Sequence, residues 1–207
     1  DMFFVSSFPG AASSLAYGNL LIQAPLGILS NSLILPLLPK LSYLINKEAY
    51  IEFKKALIKG IEYCFLTTFF LSGFFILFNK HIVELIFQRG AFNYEASLSV
   101  EKILIAYAIG IPFYLFRDLI VRSYYILEKT KLPLKLSCAG IVLNVFFDWA
   151  LLGGPIKDGL KLFSFNYGVI GVVLSSGVVN FIISIVLLIK FKAKKTLLPL
   201  YYLGKKL

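Results

Sequence analysis

The sequence predicts an all-α, polytopic membrane helix bundle of about five full transmembrane helices, preceded by the end of another helix. Three observations carry that prediction. Apolar segments recur at lengths near the roughly 20 residues needed to cross hydrocarbon. Hydrophobic residues make up 58% of the 207 positions and charged ones only 15%, against about 25% charge in a soluble domain. The lysines fall mainly between and after the apolar segments rather than within them.

Taken in order, no charge occurs from Met2 to Pro39, and Pro9-Gly10-Ala11 interrupts that run. Residues 1–12 read as the end of a preceding helix and a loop. The first full span runs from about Ser13 to Leu38, with Pro25 and Gly27 inside it. Asn19, Gln23 and Asn31 punctuate the span, and Gln23 lies four residues after Asn19, which puts those two on one helical face. Lys47 to Lys59 is an amphipathic connector expected at the membrane surface. Tyr63 to Phe78 is a second, almost wholly apolar span, and Asn79 to Phe92 reads as a short helix ending in a turn at Arg89-Gly90. The fourth span, Leu134 to Leu152, carries Asn144 and Asp148 at i, i+4. The fifth, Tyr167 to Ile189, contains Gly168, Gly171, Gly177, Ser175 and Ser176, small residues that let helices approach closely. Residues 13–195 thus form the five-helix unit, and 196–207 a basic tail leading toward a further helix.

The third span, Ile103 to Leu127, is the informative one because it carries Arg117, Asp118 and Arg122. A charge facing lipid at the bilayer centre costs about 2.5 kcal/mol or more, so such residues face a bundle interior or a wet cavity. Neighbours on a helix diverge by about 100°, which leaves Asp118 and Arg122, at i, i+4, as the natural pair. The competing reading places these residues at the headgroups, snorkelling, with Tyr124 and Tyr125 as interfacial anchors.

The charge pattern also gives an orientation. Lys40, Lys47, Lys54, Lys55 and Lys59 share a side with Lys129, Lys131, Lys135 and the tail lysines if the spans alternate. The other side has Lys80, Arg89, Lys102, Lys157 and Lys161. The lysine-rich side is then cytoplasmic, or stromal in a plastid, and the first full span runs inward. A net charge of +10 distributed in this way suits anionic lipid headgroups. It makes a poor nucleic-acid surface, because the aromatic residues lie inside the spans. Cys64 and Cys138 fall in or near apolar spans, where buried packing is the default. His81 stands alone, without metal-ligand spacing or a triad context. No Gly-rich phosphate loop ends in Lys-Ser/Thr. No cofactor, metal site or enzymatic activity is expected. The polar residues of the first, third and fourth spans point instead to helices around a hydrated interior, as in a transporter.

Several segments together resemble the MurJ (MviN) family of lipid II flippases in the MOP exporter superfamily. They are LAYGNLLIQAPLGILSNSLILPLLPKLS from Leu15, LIFQRGAFNYEAS from Leu85, ILIAYAIGIPFYLFRDLIVRSYYILEKTKLPLK from Ile103, LNVFFDWALLGG from Leu143 and NYGVIGVVLSSGVVNFIISIVLL from Asn166. The motif residues are Pro25 and Gly27 of Q-x-P-x-G, and Phe87, Gln88, Arg89, Gly90 and Phe92 of FQRGAF. The NLLIQAPLGI and YLFRDLIVRSYY segments look most like cyanobacterial and plastid-lineage members. The resemblance implies part of a fourteen-helix fold, from the end of helix seven to helix twelve, with earlier and later helices lying outside this chain. It implies export of the undecaprenyl-linked peptidoglycan precursor, lipid II, for peptidoglycan synthesis and cell shape, through a cationic cavity between two lobes. Many bacterial members carry Asp-Arg in helix eight where this sequence has Asn19 and Leu20. Arg117 or Arg122 is then expected to supply the missing cation. The alternatives are another MOP-type polysaccharide-lipid exporter and a non-transporting scaffold or degenerate remnant.

Overall fold

The computed structural model describes residues 10–87, 94–152 and 169–193 of the chain. Five helices there are long and apolar enough to cross a membrane: α1 (Ala11–Asn46), α2 (Tyr50–Phe87), α3 (Tyr94–Ile126), α4 (Lys131–Leu152) and α5 (Val169–Ala193). The protein is an integral, multi-pass membrane protein.

Three differences from the expected spans stand out, the first because a charge ends a membrane crossing but does not end a helix. The connector from Tyr50 onward and the expected short helix from Asn79 to Phe87 both belong to α2, a single helix of 38 residues. At about 1.5 Å per residue α2 is about 57 Å long, far more than the ~30 Å of hydrocarbon. Its first turns, with Lys54, Lys55 and Lys59, and its last, with Lys80 and Glu84, extend beyond the apolar window. Second, α1 continues past Pro36 and Pro39 to Asn46. It does so through a π turn at Ser30–Ile34, in which the Leu35 N–H donates to the Ser30 carbonyl. A proline cannot donate to the carbonyl four residues back, and its ring crowds that carbonyl; widening the preceding turn relieves both. Third, Tyr124 is no interfacial anchor. It is 2% exposed, and its hydroxyl donates to the Leu187 carbonyl at 3.0 Å. Tyr125, next to it, is exposed.

Helix direction follows from which residues pack together. Ala11 and Leu15 of α1 meet Ile103 and Ala106 of α3 and Val172 and Val173 of α5 at one end. At the other end Leu41 and Leu44 of α1 pack with Phe53 and Leu57 from the start of α2 and with Leu119 of α3. The odd helices therefore run together, and α2 runs against them. Leu132 and Leu136 of α4 join Leu187 of α5, so α4 is antiparallel as well. The ends carrying Lys40, Lys47, Lys54, Lys59, Lys131 and Lys135 accordingly fall on one side of the bundle, as the alternation of spans required.

The axis of the bundle is α3, which contributes ten buried apolar side chains from Val100 to Tyr124. By contrast α4 is peripheral, exposing Ile141, Val142, Val145 and Phe146. Cys64 is buried as expected, whereas Cys138 lies on that exposed face of α4. Lipid tails are as apolar as leucine, so close fit rather than burial from water holds such helices together. The α4–α5 contact shows the fit. A Cβ added at Gly171 would lie 2.9 Å from the Leu151 carbonyl oxygen, a backbone atom that cannot step aside, whereas one at Gly73 meets nothing within 4 Å. We therefore expect Gly171→Val to separate α4 from α5 at a cost of about 1–3 kcal/mol. Thermal melting of the detergent-solubilised protein should fall for this variant and hold for Gly73→Ala.

Candidate functional site

Among the described residues, polar side chains inside the bundle line two cavities. The larger, about 500 Å³, lies between α1, α3 and α5. From α1 it receives Asn19, Gln23, Gly27, Ser30 and Asn31, a stripe at helical spacing. The expected pairing on that stripe is present: Gln23 Nε2 donates to Asn19 Oδ1 at 3.1 Å. Nothing lies within 4 Å of where a Gly27 Cβ would be, so this glycine leaves the space open. From α3 come Tyr107, Tyr114, Asp118 and Arg122, and from α5 Ser176 and Asn180.

Asp118 and Arg122 form the ion pair that their spacing predicts, Arg122 Nε donating to Asp118 Oδ1 at 2.9 Å. The other carboxylate oxygen, Oδ2, accepts from the Ser30 hydroxyl at 3.0 Å. Asp118 thereby ties α3 to α1 at the first residue of the π turn. The Asp118 and Arg122 side chains are both partly buried and line the cavity wall. The bond through Nε leaves both terminal nitrogens of Arg122 without a partner among the described residues. These are the donors that form a planar fork for phosphate or carboxylate.

The second cavity, about 330 Å³, lies between α3, α4 and α5 and receives Arg117, Ser137, Asn144 and Asp148. Asp148 is buried and accepts from the Ser175 hydroxyl. The Ser176 hydroxyl donates to Asn144 Oδ1 at 3.3 Å. Arg117 gives Nη1 to Asn180 Oδ1 at 2.8 Å and Nη2 to Ser137 Oγ at 3.2 Å. Among the described residues no carboxylate lies within ion-pair distance of it.

The eight polar residues singled out in the sequence therefore divide. Asn19, Gln23, Asn31, Asp118 and Arg122 share the larger cavity, and Arg117, Asn144 and Asp148 the smaller. The two arginines are thereby separated: five residues at 100° each set Arg117 and Arg122 about 140° apart on α3. Leu20, 63% exposed, is not among the residues lining the larger cavity. Of the motif residues, Pro25 is half-buried in α1, and Phe87 packs on Tyr17 with ring centroids 4.9 Å apart. Gln88, Arg89, Gly90 and Phe92 lie outside the described residues. Ser30, Ser137 and Asn180 had not been picked out. An amide in the otherwise apolar fifth span is the same signal that marked Asn19, so Asn180 was findable; the two serines were not, since serine is common in membrane helices.

Comparison with known proteins follows this geometry. The family model described as "Lipid II flippase MurJ" matches residues 1–205. A "Probable lipid II flippase MurJ" from Synechocystis sp. is 36% identical over 180 residues, 87% of this chain and 32% of that protein. One from Rhizobium meliloti is 25% identical over 155 residues, 75% of this chain and 29% of that one. A solved structure described as "Lipid II flippase MurJ, inward closed conformation" superposes with a TM-score of 0.76 at 27% identity, over 91% of this chain and 38% of that one. The chain spans about a third of the length of the relatives it matches.

Ser30→Ala is expected to lower stability by about 1 kcal/mol, the net worth of one hydrogen bond. Asp118→Ala should cost more, because it also strips Arg122 of its anion. Adding Ser30→Ala to Asp118→Ala should then change the melting temperature no further. Equal losses in both backgrounds would place the partner of Ser30 elsewhere.

Proposed function

We infer, from the premise that this chain belongs to the lipid II flippase MurJ family, that it builds part of a headgroup cavity in an exporter of lipid-linked peptidoglycan precursor. The observation that carries the reading is the larger cavity, a polar chamber walled by membrane-spanning helices, with an arginine whose terminal nitrogens are uncommitted. A polyprenyl pyrophosphate headgroup brings phosphate oxygens and many sugar and peptide acceptors. The chamber offers amide, hydroxyl and guanidinium donors to match. Nothing in this chemistry makes or breaks a covalent bond, so the proposed activity is transport, not catalysis.

Between the two arginines expected to replace a helix-eight cation, Arg122 is the one this geometry favours. It is held through Nε and keeps its fork, whereas Arg117 has committed both terminal nitrogens to Asn180 and Ser137. Asp118 fixes the orientation of the fork and neutralises it while the cavity is empty. The lysine-rich end of the bundle is read as the side that meets anionic lipids.

The test is complementation in a bacterium depleted of its own flippase, using the complete natural polypeptide that carries these residues. The unmodified protein should restore growth and lipid II exposure at the outer face. Arg122→Ala should abolish both while remaining inserted and equally abundant; undiminished rescue by this variant rejects the role given to Arg122. Failure of the unmodified protein, stably inserted, favours a non-transporting scaffold, the reading that Asn19 and Leu20 support.

A further inference from the structure

Asn180 and Ser176 of α5 line both cavities and so form the partition between them. Asn180 is the informative one. Its Oδ1 accepts from Arg117 Nη1 at 2.8 Å. Guanidinium has donors only, so whichever way a free amide would turn, Arg117 compels the oxygen of Asn180 to face the smaller cavity. The amide is planar, and its NH₂ group therefore points away from Arg117. No described residue accepts a hydrogen bond from that group, and Asn180 is on the wall of the larger cavity.

The position of Arg117 is otherwise costly. It lies within a membrane-spanning helix, its Nε is buried without a partner, and no carboxylate faces it among the described residues. A residue kept only to join helices would be better served by a neutral amide or a carboxylate partner. What an arginine adds here is direction, because it cannot accept and so cannot let the amide flip.

We propose that Arg117 is a positioning residue for the larger cavity: from the neighbouring cavity it locks the Asn180 amide so that its two N–H donors are presented to oxygen acceptors of the lipid-linked headgroup. The inference rests on the function proposed above and adds a second donor site, Asn180, on the wall opposite α1. Arg117 thus serves the chamber it does not line, and the substrate meets Asn180.

The experiment measures binding of undecaprenyl pyrophosphate to the complete detergent-solubilised polypeptide, with thermal melting in parallel. Asn180→Asp keeps the shape and strengthens the Arg117 contact to an ion pair, but removes both donors. Affinity should fall about tenfold with the melting temperature unchanged or raised. Arg117→Met should weaken binding in the unmodified background, through the freed amide, and leave affinity unchanged in an Asn180→Ala background. Full-strength binding by Asn180→Asp overturns the proposal, and so does an equal loss from Arg117→Met in both backgrounds, which marks Arg117 as acting directly or only structurally. Absence of binding by the unmodified protein overturns the functional reading together with this inference, whereas loss with Asn180→Asp but not with Arg122→Ala removes only the role given to Arg122.

Discussion

Inside a bilayer there is no water to satisfy a polar group, so every donor and acceptor on these helices must find a partner in the protein or face a wet cavity. The hydroxyls show the first solution. Thr68 and Ser123 return theirs to carbonyls of the preceding turn, at 2.6 and 2.8 Å, and Ser72 of α2 crosses to the Ala108 carbonyl of α3 at 2.7 Å. The amides and charges show the second. They are too many and too large to be absorbed by backbone, and they gather where α1, α4 and α5 meet α3. Among the described residues, two polar chambers inside an apolar bundle are the form that this constraint takes.

The central place of α3 follows. Its apolar residues pack on α1, α2 and α5 at once, so its polar residues have no lipid-facing side to occupy. Arg117 and Asp118 are adjacent in sequence yet enter different chambers, because a single step along a helix turns the side chain by about 100° and α5 stands between. Asn180 and Ser176 on that intervening helix face both sides. A polar partition of this kind couples the chambers directly: a change in what Arg117 or Asn144 binds must change which atoms Asn180 and Ser176 present on the other side.

Much of this was legible in the residues. Length and hydropathy located all five crossings, and helical spacing alone paired Asp118 with Arg122 and Asn19 with Gln23. The errors arose where one signal stood for two physical events. Charges at Lys59 and Lys80 mark where hydrocarbon ends, not where the helix does; the first span was likewise closed at Leu38, although its helix runs on to Asn46. Tyrosine at the end of a span is as suited to an interface as to a buried bond, and only the nearness of the Leu187 carbonyl decides for Tyr124. Spacing on one helix likewise says that Arg117 and Arg122 diverge without saying which helix each will meet. Asn180 became significant only through Arg117, 63 residues earlier in the chain.

The pairing of Arg122 with Asp118 bears on how such a chamber could release what it binds. An isolated guanidinium in a low-dielectric chamber would hold a pyrophosphate strongly, since charge interactions are larger there and less screened by salt. A transporter needs the opposite balance, with binding favourable enough to load and weak enough to unload. An arginine already neutralised through Nε answers both needs. Its fork can still engage two phosphate oxygens, but the anion must share the charge with Asp118, and like-charge repulsion between phosphate and carboxylate opposes retention. Ser30 is positioned to modulate that balance. Its bond to Asp118 Oδ2 holds the carboxylate against α1 at a widened turn, the part of that helix least constrained by regular backbone bonding. Movement of α1 at this turn would withdraw the Ser30 hydroxyl and leave the Asp118 carboxylate to Arg122 alone. On the function proposed above, the bend in α1 would then bear on release through one serine and one carboxylate.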